Sequence, residues 1–185
     1  MSLDAAPWPR IGIMGGGAVG CLYGAFLARS GAPVSIVARP RHAEALNTSG
    51  VRVTGHVQEF AAPVRSSSDP AILAESDLVL FCTKTGDTEA AAATMKPHLP
   101  KGATVLAFQN GIEGAERLSA ALDNPVFPAA LIVSCEMAGP GLVQHNGAGA
   151  VRLGEWFEDA PHADDRRARL AQALAVFGRA GVDIR

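Results

Sequence analysis

Apolar residues in the first half of the chain fall into two alternating arrangements, short unbroken runs and stripes at helical spacing. Arg10 to Met14 is a β-prone run. After the glycines that follow it, Val19, Leu22, Tyr23, Phe26 and Leu27 recur at i, i+3, i+4, i+7 and i+8, the stripe of an amphipathic helix. Ser30-Gly31 ends that helix, and Ala32 to Ala38 is the next strand, which a right-handed crossover lays parallel to the first. A short helix over 40–47 follows, then Val51–Thr54 and Val57–Val64 as paired strands around Gly55-His56. Ser68-Asp69-Pro70 caps a short helix to Glu75, and Asp77 to Thr83 is almost continuously apolar, as in a parallel strand covered on both faces. An alanine-rich helix over 87–96 stops at Pro97, and Ala103–Phe108 is a further strand. Asn110 and Glu113 have capping-box spacing for a helix ending near Leu122. Beyond Pro125 the texture changes: 126–135, 141–145 and 150–154 predict strands between Gly and Pro turns. A last amphipathic helix over 163–180 turns Leu170, Leu174 and Phe177 inward, and Val182-Asp-Ile184 begins a final strand.

This order predicts an α/β protein with a Rossmann-type, doubly wound, mainly parallel sheet, helices on both faces and a closing antiparallel section. With 185 residues, 48% of them hydrophobic, the chain can bury one sizeable core. A formal net charge of −2 gives no reason to expect nucleic acid or an anionic membrane as partner. The cluster Arg166-Arg167-Ala-Arg169 reads as a solvated helix face. Residues 1–9 lack a basic n-region and a long apolar stretch, so they predict a loose tail and neither a signal peptide nor a membrane anchor. Cys21, Cys82 and Cys135 are odd in number, far apart in sequence and set among apolar residues, which predicts buried thiols in a reducing, cytoplasmic compartment. His42, His56, His98, His145 and His162 never fall at i, i+4 or beside a cysteine pair, so no metal site is expected.

The candidate chemistry sits in the first turn, Gly15-Gly16-Gly17-Ala18-Val19-Gly20. A strand turning sharply into a helix needs positive φ at its first glycine, Gly15, and bare backbone at Gly17, where a pyrophosphate comes close. Gly20 lets helix and sheet approach. The unpaired N–H groups of the helix start face the phosphates, with the positive end of the macrodipole behind them. About twenty residues on, after the second strand, an Asp or Glu would bind the adenine ribose hydroxyls. Arg39 stands there instead, and a guanidinium suits a 2′-phosphate through charge-assisted, bidentate hydrogen bonds. The cofactor expected is therefore NADP(H) rather than NAD. Arg39 and Arg41 as ordinary solvated loop charges are the alternative.

Together, Gly15-x-Gly17-x-x-Gly20, Arg39, Cys82-Thr-Lys84, Gln109-Asn110-Gly111, Pro140-Gly141-Leu-Val-Gln-His145 and Arg152-Leu-Gly-Glu155 resemble the ketopantoate reductase (2-dehydropantoate 2-reductase) family over roughly residues 10 to 185. The resemblance implies a Rossmann-type N-terminal domain over 10–185 that binds NADPH, and NADPH-dependent reduction of a 2-keto acid such as ketopantoate to the 2-hydroxy acid on the route to pantothenate. It further implies that Arg39 holds the 2′-phosphate, that Lys84 lies by cofactor and substrate, that Asn110 contacts the nicotinamide ribose, and that the backbone of Met137 lies by the cofactor. Lys84 as a surface residue and Asn110 as a helix cap remain open beside these roles. The family's helical C-terminal domain, its lysine general acid and a cofactor-contacting glutamate have no counterpart before Arg185. The expectation is thus of NADPH binding with poor turnover, since general acid catalysis contributes about 10² to 10⁴ in rate. Other NADP-linked hydroxyacid dehydrogenases share such a cofactor half. A non-catalytic NADP-binding module, with an apolar docking face covered in a homodimer, is the reading from a different class. An FAD role conflicts with Arg39.

Overall fold

Alternate side chains of the central strands feed two separate cores. The computed structural model describes residues 7–111, 113–155 and 163–185. In chain order it contains β1 (Ile11–Met14), α1 (Ala18–Arg29), β2 (Val34–Val37), α2 (Pro40–Ser49), β3 (Val51–Gly55), β4 (Phe60–Ala62), β5 (Arg65–Ser67), β6 (Leu78–Phe81), α3 (Thr88–Met95), β7 (Thr104–Ala107), α4 (Glu113–Ala121), β8 (Val126–Gly139), β9 (Leu142–Leu153) and α5 (Ala163–Arg179). Ile11, Ile13, Leu78, Leu80 and Leu106 point into one core with Tyr23 of α1 and Phe177 of α5. Met14, Val79, Phe81, Val105 and Ala107 point into the other, with Met95 of α3 and Leu118 of α4. Two covered faces explain why these strands read as unbroken apolar runs rather than as alternation.

The nine strands lie in the order β4-β3-β9-β8-β7-β6-β1-β2-β5. From β5 to the start of β8 all pairings are parallel. This is the doubly wound arrangement expected, and its strand order reverses beside β1. β8 then leaves the parallel sheet: Val126–Pro128 pair with β7, and Ala129 onward pairs antiparallel with β9. Three register shifts in that ladder curl the hairpin over the sheet.

Several expectations are corrected here. Residues 57–64 are not one strand; Phe60–Ala62 pair with β3, and Pro63, which has no N–H to donate, separates them from β5, a parallel edge strand on β2. β3 pairs parallel with β9, so the 51–62 meander is an integral part of the same sheet. Asn110 does not cap α4 as a capping box requires, because Gly111, which would be the first helical residue, has φ +78°. Within α5, Phe177 and Ala173 are the fully buried residues, with Leu170 packed against the core and Leu174 half-buried. Residues 182–184 do add a parallel bridge, Val151 to Ile184. Of the tail over 1–9, residues 1–6 lie outside the described residues, whereas Trp8 packs on the core beneath the Arg179 guanidinium, 3.9 Å from its ring centre.

The arginine cluster is not a solvated face. Arg166 makes a two-point ion pair with Glu155, at 2.7 and 2.9 Å, donates to the Val126 carbonyl at 3.0 Å and lies over the Phe127 ring. Arg169 reaches the Gly102 carbonyl at 2.8 Å. Only Arg167 fits the original reading, at 63% side-chain exposure. These contacts fasten α5 across the end of β8. Arg166→Ala removes both of these bonds from the Glu155 carboxylate, which is 14% exposed. Chemical denaturation is expected to show a loss of about 2–4 kcal/mol for Arg166→Ala and less than about 1 kcal/mol for Arg167→Ala; equal, small losses would remove the staple from the account.

Among the described residues no helix is long and apolar enough to cross a membrane, and no cluster of His, Cys, Asp or Glu could hold a metal ion. All three cysteines are free thiols.

Candidate functional site

β1, β2 and β6 end side by side where the strand order reverses, and the chain must turn away from all three there. The result is a crevice of about 730 Å³, in the place where open α/β sheets collect ligands. Its floor is the glycine turn. Gly15 has φ +111°, which an L side chain rarely adopts, and its amide donates to the Val37 carbonyl at 3.3 Å. A Cβ on Gly20 would land on the Gly15 carbonyl oxygen and come within 3.0 Å of Ile13 Cγ2 and 3.2 Å of Cys82 Cβ. A Cβ on Gly17 would meet nothing within 4 Å among the described residues beyond its own chain neighbours. Packing therefore demands glycine at position 20 but leaves open space above Gly17, the residue that opens α1.

Arg39 forms one wall, exposed and directly ahead of Pro40, the first residue of α2. α2 is held to the sheet by Asn47, whose side-chain amide donates to the Ser66 carbonyl and accepts from the Ser66 amide, both at 2.8 Å. Ser66 Oγ in turn donates to the Ile36 carbonyl at 2.8 Å. Those bonds set the position of Arg39 through the helix it starts. One turn into α2, His42 lines the crevice and accepts a hydrogen bond from the Gly141 amide on Nδ1, at 3.1 Å. Burial holds its imidazole below the ordinary value of 6.5, against a contact with the Gly16 backbone that raises it.

Lys84 follows β6 on the opposite wall, near Asp87. Its loop is fixed from the next strand: buried Gln109 donates through Nε2 to the Thr83 carbonyl at 3.0 Å and to Thr88 Oγ1 at 2.9 Å. Met137, Gly139 and Pro140, from the end of β8, overhang the opening. Cys82 lines the crevice, and burial pushes its thiol up, with Cys21 and Cys135 close enough to add to the shift. Burial likewise carries the Cys21 thiol to about 12, so neither sulfur is an available nucleophile at neutral pH.

Of the residues proposed from sequence, Gly15, Gly16, Gly17, Arg39, Lys84 and Met137 line this one crevice. Ala18, Val19 and Gly20 sit behind it in the first turn of α1, with Gly20 buried. Asn110 is exposed at the end of β7, next to Gln109, and does not line the crevice; neither does Arg41. Sequence reasoning missed His42, Ser68, Asp87 and Pro140 as lining residues; His42 and Asp87 lie three residues beyond Arg39 and Lys84, but only the folded chain shows that they line the same crevice. Thr83 Oγ1 is buried in the wall with no hydrogen-bond partner among the described residues. That orphaned hydroxyl and the vacant side of Gly17 fit a dinucleotide crevice.

Comparison with known proteins agrees with the geometry. The family model described as ketopantoate reductase PanE/ApbA matches residues 11–158. The chain is 28% identical over 174 residues to a 2-dehydropantoate 2-reductase of Pyrococcus horikoshii, covering 94% of this chain and 54% of that protein. A PanE/ApbA family ketopantoate reductase from Ralstonia eutropha JMP134 superposes with a TM-score of 0.84 at 41% identity, covering 95% of this chain and 55% of the other. A D-mandelate dehydrogenase in ternary complex with NADH and anilino(oxo)acetate shares the fold, with a TM-score of 0.76 at 21% identity, 95% of this chain and 56% of that one being covered. The chain thus spans about half the length of the relatives it matches. A glycine-turn crevice at the switch point of the sheet and a family match over four-fifths of the chain lead to one conclusion: this protein belongs to the ketopantoate reductase (PanE/ApbA) family.

Proposed function

We propose that the chain, over residues 10–185, is the NADP(H)-binding domain of a reductase that converts a small 2-keto acid, ketopantoate or a close analogue, to its 2-hydroxy acid. Arg39 carries the choice of coenzyme. The fold alone does not make that choice, since D-mandelate dehydrogenase holds NADH on the same architecture. A guanidinium at the mouth of the crevice, after β2, offers paired donors to a 2′-phosphate where a carboxylate would repel it.

When bound, the nicotinamide would supply the hydride that reduces the keto carbon. The protein's own part is to hold and orient. The N–H groups at the start of α1 and the open side of Gly17 receive the pyrophosphate, and Met137 covers it from the hairpin. Lys84, whose ammonium makes no ion pair among the described residues, attracts the substrate carboxylate. Asn110, one residue beyond the Gln109 clamp on the Lys84 loop, contacts the nicotinamide ribose once the dinucleotide extends past the crevice.

Fluorescence titration tests this reading. NADPH is expected to bind at least about tenfold more tightly than NADH, with FAD not bound. Adding ketopantoate and following the nicotinamide absorbance then reads turnover: even slow oxidation of the coenzyme marks a reductase and excludes a module that only binds. Equal affinity for the two coenzymes would sink the coenzyme assignment.

A further inference from the structure

The crevice has a floor and an overhang from distant parts of the chain, and a single imidazole joins them. His42 Nδ1 accepts from the amide of Gly141, 99 residues away in sequence. That bond requires a lone pair on Nδ1, so the hydrogen of the neutral ring resides on Nε2. Nε2 lies 3.4 Å from Cys21 Sγ of α1, beside the Gly16 carbonyl, to which the Cys21 thiol donates at 3.5 Å. One side chain on α2 thereby touches the glycine turn, the helix behind it and the tip of the β8–β9 hairpin. The Gly141 carbonyl is already held by the Arg52 amide at 2.8 Å, as part of the β3–β9 ladder. His42 takes the other side of the same residue, the N–H.

We propose that His42 is a positioning residue of the coenzyme site, its neutral ring latching the hairpin tip, and with it Met137, Gly139 and Pro140, over the glycine turn. The inference rests on the dinucleotide reading of the crevice, but the latch itself is a property of the chain without ligand. Protonation at Nδ1 removes the acceptor and sets two N–H groups against each other, so the latch opens as pH falls. The groups facing the ring are the Cys21 thiol from α1, the Gly16 carbonyl from the turn and the Gly141 amide from the hairpin; Arg39 and Arg41 flank it on its own helix, and Lys84 and Asp87 stand across the crevice. Burial of the imidazole favours the neutral ring, against the Gly16 backbone contact, which favours the charged one.

Two measurements on the 185-residue chain test the latch, comparing His42→Ala with His42→Asn, whose side-chain oxygen can replace the Nδ1 acceptor. Amide exchange of Gly141 in the ligand-free chain is expected to speed up about tenfold in His42→Ala and to stay within about threefold of the parent in His42→Asn. The dissociation constant for NADP⁺ is expected to rise about tenfold in His42→Ala and at most about threefold in His42→Asn. From about pH 8 to about pH 5 the parent should lose more affinity than His42→Asn, since both share the titration of the coenzyme's own phosphate and of the other histidines but only the parent carries an imidazole at position 42. Unchanged Gly141 exchange and affinity in His42→Ala would overturn the proposal, as would a pH dependence common to parent and His42→Asn. If the parent holds no NADP⁺ at all, the coenzyme reading fails, while the exchange of Gly141 still decides the latch.

Discussion

Gly17→Ala and Gly20→Ala, three residues apart, are expected to fail in opposite ways. Gly17→Ala should unfold at the parent temperature within a degree or so, yet weaken NADPH binding by about 100-fold. Its φ of −82° suits alanine, and the new methyl group meets nothing within 4 Å among the described residues beyond its own chain neighbours. The space it enters is the one that the proposed function assigns to the pyrophosphate. Gly20→Ala should instead lose about 3 kcal/mol of stability, a fall in melting temperature of roughly 10 °C for a chain of this size. There the added Cβ collides with the Gly15 carbonyl and crowds Ile13 and Cys82, so α1 must back away from β1. The better helix propensity of alanine, about 1 kcal/mol, does not offset a clash with backbone. Differential scanning fluorimetry with and without NADPH separates the two outcomes. Tight coenzyme binding by a well-folded Gly17→Ala would show that this turn cradles no phosphate.

Arg39→Asp is expected to invert coenzyme preference. The 2′-phosphate loses a charge-assisted, paired donor and gains a repelling carboxylate, a change of about 1.5–3 kcal/mol or more, so NADPH affinity should fall about 10- to 150-fold. NADH should bind as well as before or better, because a carboxylate after β2 accepts from both ribose hydroxyls. Arg39 is exposed and is fixed only through α2, so the substitution leaves the Asn47–Ser66 bonds and the fold intact. Parallel titrations with the two coenzymes read the ratio directly. A proportional loss for both would mean that Arg39 acts on something common to them and does not read the phosphate.

The glycine turn was legible because its demands are local. Positive φ at Gly15 and close approach at Gly20 follow from turning a strand into a helix within a few residues, and both are present. The nearly continuous apolar run at 77–83 announced a strand covered on both faces for a similarly local reason. β5 was missed because Arg-Ser-Ser on a sheet edge carries no hydrophobic period. The charges of α5 were misread because helical spacing shows which residues share a face, not what that face meets; Arg166 meets Glu155 and Phe127, both outside its helix. Gln109 stood in a recognisable motif, yet its clamp on the Lys84 loop depends on β6 and β7 lying side by side.

The amino-acid order alone therefore determined the alternating α/β architecture, the glycine turn and the place of Arg39 just after β2, since each depends on spacing within some twenty residues. Tertiary structure decided which walls face that turn. The parallel pairing of β3 with β9 carries the hairpin over the crevice, sets Met137 above the glycines and brings Gly141 to His42. Such contacts join segments about a hundred residues apart, and they become favourable only once the rest of the sheet has removed the chain entropy that opposes them.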